Sequence, residues 1–292
     1  MLRSPPQRCP RRDEAPGVLM DRRSFVTAMS AAVGVGRVPG FAAGDPLLKR
    51  AGLQLYTVRD LVMQDMERTL DQVAAIGYEE VEFAGYFGHE PKAIRAMLDR
   101  CGLKAPAAHV SEKLLTGEWA RIFADAKIIG HEYVIVPSTE PEQRRTLADY
   151  QRLAARFNRA GDAAKREGLT FAYHNHEYEF ISLEGRTPYD TLLDETDPKL
   201  VKFELDLYWL RVGGFDPLVV FARWPKRFPL VHLKDMTADG RMVDVGAGVI
   251  DWKAVFAKRK QAGIEHCFVE HDEPSDPIWS ATASYRYLTR SA

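Results

Sequence analysis

The sequence contains little cysteine. Its three cysteines, Cys9, Cys101 and Cys267, are too few for a disulfide framework, and their spacing matches no zinc-ligand motif. We interpret them as small apolar packing residues. With 292 residues, of which 46% are hydrophobic and 28% charged, the chain is nevertheless long enough to build one large domain around a substantial core.

A basic tract is also missing. The chain has 40 lysines and arginines against 41 aspartates and glutamates, and no run of basic residues alternates with aromatic ones. Residues 1–42 hold seven basic and three acidic residues, so the remainder carries 33 basic and 38 acidic residues, a net charge of −5. Because binding to nucleic acid requires a basic face that neutralises phosphates, nucleic acid is not an expected partner.

Two further absences reduce the number of possible folds. No apolar run is long and apolar enough for a transmembrane helix. The first predicted strand leads into "LQLYTVRD" (53–60), which contains no glycine, whereas a dinucleotide-binding open sheet has a glycine-rich turn at that point. These absences argue against a membrane-spanning protein and against an open, doubly wound sheet.

The N-terminal segment differs from the rest of the chain. "MDRRSFVTAMSAAVGVGRVPGFAAGDP" (20–46) combines paired arginines, a small-residue apolar run and a Gly-Phe-Ala cleavage site, and it resembles a twin-arginine export signal, with Arg37 as a departure. A disordered basic tail is the alternative, and Met20 is an alternative start. We expect a leader over 1–42, a domain over 43–292 in the periplasm or outside the cell (alternatively the cytoplasm), and no stable membrane association after export.

Short apolar runs recur along the domain at intervals of about 25 to 37 residues, the length of a βα unit. Helical patterns lie between them, for example over 66–77 and 146–168, each ending at a glycine. Eight parallel strands that alternate with helices predict a single-domain (β/α)8 TIM barrel. The eight runs are 51–56, 79–84, 103–109, 132–137, 169–174, 201–206, 228–234 and 265–270.

Polar residues cluster at the ends of these runs, where a barrel of this kind places its active site. Because buried charge without compensation is costly, several strands ending in acids and histidines indicate a bound divalent cation. "HNHE" (174–177) would be the contribution of the fifth strand to that site. The residues at the strand ends are Glu82, His109, His174, Glu204, Asp206, His232, Lys234 and Glu270.

Five segments resemble motifs of the xylose isomerase-like barrels, also called sugar phosphate isomerase/epimerases. "GLQLYTVRD" (52–60) is in addition typical of exported members, and the likeness runs from about Leu53 to the C-terminus. As a series the motifs are specific for the superfamily but not for a substrate. The five segments are "HNHEYEF" (174–180), "ELDLYW" (204–209), "VHLKDM" (231–236), "VGAGVIDW" (245–252) and "VEHDEP" (269–274).

The resemblance implies four metal ligands at the ends of strands five to eight. Asp206, His232 and Glu270 match the family directly, whereas His174 stands where most epimerases have a glutamate. Because sugar 3-epimerases use two metal-bound glutamates as their acid/base pair, this departure does not fit a simple two-glutamate epimerisation. Two nitrogen and two carboxylate ligands favour Mn²⁺, Co²⁺ or Zn²⁺ over Mg²⁺.

The remaining candidate residues would contact the substrate. The catalytic base is expected to be His176, His109 or Glu177. Lys234 would hold a developing oxyanion or, alternatively, form a salt bridge with Asp235 or another carboxylate. Gln54, Tyr56, Glu82 and Trp209 are the predicted substrate-binding residues. For two of them an alternative is open, since Trp209 can also pack in the core and Glu82, like Glu204, can also orient the histidines.

The expected function is a divalent-metal-dependent sugar isomerase or epimerase that abstracts a proton α to a carbonyl and forms a metal-bound enediolate. Strands five, seven and eight also resemble inosose dehydratase, which implies a carbon–oxygen lyase on keto-sugars, keto-glycosides or inososes with the same first step. A non-catalytic periplasmic sugar-binding protein is a third possibility. The partner is expected to be a small carbohydrate, and the oligomeric state stays open.

Two loops complete the predictions. "DVGAGVIDW" (244–252) is expected to form a mobile loop over the barrel mouth, and "HDEPSDP" (271–277) the rim after strand eight. Glu179 is interpreted as a solvated loop carboxylate in preference to a substrate-facing one.

Overall fold

Eight parallel strands close into a barrel in the computed structural model, which describes residues 46–290. Neighbours along the chain pair with each other, and the last strand closes on the first through Gly52 opposite Phe268. Each of the eight predicted runs contains one barrel strand, so the predicted barrel is confirmed. The barrel strands are β1 (Gly52–Gln54), β2 (Glu80–Ala84), β3 (Lys104–His109), β4 (Tyr133–Val136), β5 (Thr170–His174), β6 (Val201–Asp206), β7 (Leu230–Leu233) and β10 (His266–Val269).

Helices cover the outside of the barrel. The two helices that the sequence predicted begin and end close to the expected residues. The first ends at Gly77, which has a φ of +118°. The second begins after Thr146, which forms a capping box with Asp149. They are α1 (Arg59–Gln64), α2 (Met66–Ile76), α3 (Pro91–Cys101), α4 (Trp119–Ile129), α5 (Leu147–Arg166), α6 (Pro188–Glu195), α7 (Leu207–Val212), α8 (Pro217–Arg223), α9 (Trp252–Ala257), α10 (Arg259–Ala262) and α11 (Pro277–Thr289). Over residues 46–290, none of these helices combines the length and the apolar character needed to cross a membrane.

An apolar plug fills the lower part of the barrel interior. It is a separate cluster from the large core between strands and helices. Alternate residues of a barrel strand point inward, so Leu230 and His232 share the interior face, as do Ala172 and His174. The polar strand ends therefore lie on top of apolar side chains. The plug consists of Ala107, Tyr133, Ile135, Ala172, Leu230 and Phe268.

A short antiparallel hairpin, which sequence reasoning missed, follows β7. Its strands are β8 (Asp235–Met236) and β9 (Met242–Val243), and Arg241 and Met242 form part of the cavity wall at the barrel mouth. The loop 244–251 comes next. Its backbone amides are bound by the buried carboxylate of Asp235, and none of its residues lines the cavity. The loop therefore does not lie over the mouth as predicted, although it leads into α9 (Trp252–Ala257) as expected. The predicted leader over 1–42 lies outside the described residues.

Gly161 in α5 provides a test of how the helical layer packs on the barrel. Exchange of glycine for alanine inside a helix normally stabilises by about 1 kcal/mol. Here a Cβ atom at Gly161 would lie 2.4 Å from the carbonyl oxygen of Leu200, at the start of β6. We expect Gly161→Ala to lower the free energy of unfolding by about 1–3 kcal/mol, because backbone cannot move aside cheaply. Urea denaturation measures this.

A neighbouring substitution on the exposed side of the same helix is the control. Arg159→Ala should change the free energy of unfolding by less than about 0.5 kcal/mol. A Gly161→Ala variant more stable than wild type would show that α5 does not approach Leu200 as described.

Candidate active site

A cavity of about 970 Å³ opens at the carboxyl ends of the strands. Seven of the twelve predicted site residues line it: Tyr56, His109, His174, His176, Trp209, Lys234 and Glu270. Asp206 and His232 lie directly behind this wall, with no exposed surface. Glu177 is half-buried but is not part of the wall, and in the described part of the chain its side chain forms no hydrogen bond or ion pair with the other site residues. The strand ends therefore converge at one end of the barrel, around this cavity.

Asp206, His232 and Glu270 form a group whose ligand atoms all lie within 4.8 Å of one another. The strand register brings them together, because Asp206 at the end of β6 pairs with His232 in β7. His232 Nδ1 lies 2.7 Å from Glu270 Oε2 and 3.8 Å from Asp206 Oδ2. His174 Nε2 is also 3.8 Å from Asp206 Oδ2. The four predicted metal ligands are thus neighbours.

A second group lies deeper in the barrel and is centred on Glu204. Its Oε2 atom is 2.8 Å from His109 Nε2, 3.1 Å from His174 Nδ1 and 3.2 Å from His232 Nε2. His174 and His232 therefore each turn one ring nitrogen toward Asp206 and the other toward Glu204. A carboxylate in this position holds an imidazole in one orientation, which agrees with the orienting role considered for Glu204.

Gln54 and Glu82 lie behind His232 and have no exposed surface. Gln54 Nε2 donates to Glu82 Oε2 at 2.6 Å, and the same oxygen lies 2.5 Å from His232 Nε2. Burial, followed by the charge of Glu204, raises the pKa of Glu82 to about 7. The prediction that these two residues bind substrate is wrong for the described structure, because both are shielded from the cavity by the site itself.

Lys234 is surrounded by carboxylates. Its Nζ atom is 3.1 Å from Asp206 Oδ2, 2.8 Å from Glu270 Oε2 and 2.7 Å from Asp272 Oδ1. Burial opposes its charge, but the three carboxylates outweigh burial and raise the pKa of Lys234 well above its usual value. Of the alternatives considered for this residue, the salt bridge with neighbouring carboxylates is present, although Asp235 is not one of them.

His176 lies on the cavity wall in a fixed orientation. Its ring stacks on Tyr178, with centroids 5.4 Å apart and planes 9° apart, and its Nδ1 is 3.4 Å from the Tyr178 hydroxyl. Its backbone N–H donates to Glu179 at 2.9 Å. Burial, followed by the charge of Lys234, lowers the pKa of His176 to about 4. The imidazole is therefore neutral at pH 7.

Glu179 is not the solvated loop carboxylate that the sequence suggested. It has no exposed surface, and the Tyr173 hydroxyl donates to it in addition to the His176 amide. Burial raises the pKa of Glu179 to about 8. Its role is to hold the chain that follows β5. Both donors precede Glu179 in the chain, by six and by three residues, and no sequence motif marks this pairing.

The cluster fits a divalent cation. Buried polar atoms are normally hydrogen-bonded. Among the described residues, however, Glu82 Oε1, Glu204 Oε1 and Asp206 Oδ2 have no hydrogen-bond partner, although the Lys234 ammonium lies 3.1 Å from Asp206 Oδ2 as an ion pair. A cation held by Asp206, Glu270 and imidazoles would compensate this excess of negative charge. Mixed nitrogen and carboxylate donors suit Mn²⁺, Co²⁺ or Zn²⁺.

Comparison with known proteins agrees with the architecture. The family model described as xylose isomerase-like TIM barrel matches residues 70–288. Two inosose dehydratases are similar in sequence. That of Geobacillus kaustophilus strain HTA426 is 27% identical over 235 residues, covering 66% of this chain and 75% of that protein. That of Lacticaseibacillus casei is 24% identical over 266 residues, covering 76% and 88%.

A solved structure is similar in fold. It is a sugar phosphate isomerase/epimerase from Parabacteroides distasonis ATCC 8503, with a TM-score of 0.74 and 25% sequence identity. The match covers 90% of this chain and 97% of that protein.

Because the pKa of Glu179 is raised, we expect the free energy of unfolding to depend on pH. Its pKa is raised from 4.5 to about 8 on folding, so the stability it contributes is complete below pH 4.5 and is lost as the pH rises through 8. Glu179→Gln removes this titration. Relative to wild type, the free energy of unfolding of the variant should therefore rise by about 1.4 kcal/mol for each pH unit within that window. Urea denaturation at pH 5, 6 and 7 measures it, and a difference that does not change with pH would contradict the assignment.

Proposed function

This chain belongs to the xylose isomerase-like TIM barrel family, and from that membership we propose that it is an enzyme that removes a proton next to the carbonyl group of a keto-sugar or cyclic polyol ketone. One observation supports this reaction most directly. Glu270, which belongs to the cluster of Asp206, His232 and Glu270, lines the same cavity wall as the neutral imidazole of His176 and the ammonium group of Lys234, and the other two members lie directly behind it. Groups that can stabilise negative charge and a group that can transfer a proton thus face the same cavity.

A divalent ion would be held by Asp206, His232 and Glu270, with His174 as the fourth ligand. When bound, the ion supplies a Lewis acid that stabilises negative charge on the carbonyl oxygen of the substrate. Glu204 keeps the rings of His174 and His232 in place from the opposite side, because its Oε2 lies within 3.2 Å of a nitrogen of each.

His176 is the group that we assign to proton transfer. It is neutral and can accept a proton, and the Tyr178 ring and the Glu179 carboxylate fix its position. Lys234 stays protonated and places a positive charge beside Glu270. The ring of Trp209, 5.9 Å from that of His176, offers an apolar face on which a sugar ring can stack.

The continuation that we favour is loss of a hydroxyl group from the neighbouring carbon, the reaction of a carbon–oxygen lyase. Of the strand-borne carboxylates Glu82, Glu204, Asp206 and Glu270, only Glu270 lines the cavity. Asp272 and Glu273 line the same wall from the loop after β10. The wall also carries imidazoles, and an imidazole is suited to proton donation to a departing hydroxyl. The names of the two dehydratase relatives support the same reading.

Isomerisation or epimerisation is the second candidate, and the fold similarity to a sugar phosphate isomerase/epimerase favours it. It shares proton abstraction and differs in that a proton returns to carbon. Mass spectrometry of the product separates the two, because a lyase product is lighter by one water whereas an isomer has unchanged mass. We also propose export through a leader that ends at residue 42, on the sequence pattern given above.

His176 provides the test of the shared first step. NMR in D₂O, with D-fructose and scyllo-inosose as ketones, measures exchange of the proton α to the carbonyl. We expect His176→Ala to slow this exchange by about 10²–10⁴-fold, the typical effect of losing a general acid/base. Bound metal should stay at the wild-type level, because this side chain is not one of the proposed ligands.

Glu177→Gln is the matched control, since Glu177 is the adjacent candidate base but does not line the cavity. It should exchange protons at a rate within about threefold of wild type. Loss of exchange in Glu177→Gln with full exchange in His176→Ala would move the base to Glu177, and absence of α-proton exchange from every ketone tested would count against the proposed reaction.

A further inference from the structure

The cavity at the barrel mouth has a charged half and an uncharged half. The ends of β7 and β10, with the segments that follow them, carry its lysine, arginine and carboxylate side chains, and β5 contributes His174 and His176. On the other half, the ends of β1 to β4 contribute His109, which is turned toward Glu204, and otherwise, in the described part of the chain, side chains without charge. These include Tyr56, Ala84, Val110, Ser111, Pro137 and Ser138. The uncharged half thus offers a ligand apolar surface and hydroxyl groups.

The cavity is larger than a single sugar ring requires. Its volume is about 970 Å³, which lies near the upper end of the range of about 300–1,000 Å³ that accommodates drug-sized ligands. A single hexose is smaller than such a ligand. One ring bound beside Trp209 and His176 would therefore leave the uncharged half of the cavity to water.

Tyr56 is an aromatic residue held in a fixed position on the uncharged half. It lines the cavity with 41% of its surface exposed. Its backbone N–H donates to Gln54 Oε1 at 3.1 Å. The Arg59 guanidinium lies over its ring, 4.2 Å from the centroid, and donates to the Tyr56 carbonyl oxygen at 2.9 Å. An aromatic ring that is fixed in this way and still exposed is a platform on which the apolar face of a sugar can stack.

Tyr56 lies across the mouth from the residue assigned to proton transfer. Around the closed barrel, three strands separate β1 from β5 in either direction, so the segment after β1 is opposite the segment after β5, which carries His176. With strands about 4.8 Å apart and tilted by about 36°, opposite strands of an eight-stranded barrel are about 15 Å apart. Trp209 lies on the far side with His176, since their rings are 5.9 Å apart. A ligand that contacts both Trp209 and Tyr56 must therefore span the mouth.

Arg59 connects the platform to the reactive wall. Besides its contacts with Tyr56, it donates to the carbonyl oxygen of Asp272 at 2.6 Å. The carboxylate of Asp272 lies 2.7 Å from Lys234 Nζ. These contacts hold the aromatic ring and the ammonium group at a set spacing, which a ligand bound to both halves of the cavity requires.

We propose that the substrate is a keto-sugar linked to a second, uncharged sugar ring, and that this second ring stacks on Tyr56. The keto-sugar ring binds between Trp209 and His176, where the proposed proton abstraction takes place. The second ring contributes binding and takes no part in the reaction. This inference rests on the proposed function, from which it takes the reacting ketone.

Ketoses with and without a second ring test the substrate class on the wild-type protein. Exchange of the α-proton in D₂O is measured for D-fructose and for lactulose, turanose and isomaltulose, in which a second hexose is attached to fructose through different oxygens. We expect the best of the disaccharides to exceed D-fructose in kcat/KM by about three- to tenfold, the size of one aromatic contact. A value for D-fructose that equals or exceeds those of all three disaccharides would overturn the inference.

Variants of Tyr56 test the position of the second ring. Tyr56→Ala should lower the ratio of kcat/KM for the best disaccharide to that for D-fructose by about three- to tenfold, whereas Tyr56→Phe, which keeps the ring, should hold this ratio within about twofold. Because the ratio compares two substrates on one protein sample, a partly misfolded variant does not change it. Trp279→Ala is the control, since Trp279 is 63% exposed on α11 and does not line the cavity. An unchanged ratio in Tyr56→Ala would remove the second ring from this platform.

Calorimetric binding distinguishes failure of this inference from failure of the proposed reaction. If no ketose exchanged a proton, the proposed reaction would fail for these sugars, and the affinities would still decide the substrate class. The best disaccharide should bind the wild type with a Kd about threefold or more below that of D-fructose, and Tyr56→Ala should remove this difference. Equal Kd values for D-fructose and all three disaccharides would contradict a second ring in the cavity.

Discussion

Concentrated negative charge at the carboxyl end of the barrel is the constraint on which the rest of the site depends. Glu82, Glu204, Asp206 and Glu270 have 5% exposure or less and lie within one network of contacts. Charges removed from water must be paired or they oppose folding by several kcal/mol each. Lys234 and the histidines supply part of the compensation, and atoms that stay without partners mark where a divalent cation fits.

The position of a buried carboxylate in the barrel determines whether it belongs to the proposed cation site or anchors a neighbouring segment of the chain. The inward-facing polar residues at the strand ends lie above the apolar plug, which excludes water from that side. Their charges therefore interact strongly, and the negative ones require cationic partners. Glu179 and Asp235 are just as buried, but their partners are hydroxyl, indole and backbone N–H groups. They anchor the turn after β5 and the loop after the hairpin. Two equally buried acids can therefore have different roles, and the groups that surround each acid distinguish a member of the reactive site from a structural anchor.

Much of this could be predicted from the sequence, because strand spacing and the polarity of strand ends are local properties. The eight barrel strands and the proximity of His174, Asp206, His232 and Glu270 follow from them. The depth of a side chain along the barrel axis cannot be predicted from these local properties. For this reason the sequence places Glu82 at the substrate, whereas in the structure it lies behind His232. The hairpin was missed because strands of two residues have no periodicity. The burial of Asp235 depends on amides up to 15 residues away, which no local pattern reveals.

We propose that the buried carboxylates hold one divalent cation beside the cavity. Crystallographic anomalous difference density, recorded above and below the absorption edges of Mn, Co and Zn, tests it most directly. We expect a single peak in contact with Asp206, His232 and Glu270. A peak enclosed by His109 and Glu204 alone, or a fully active crystal form with no peak at any edge, would contradict it.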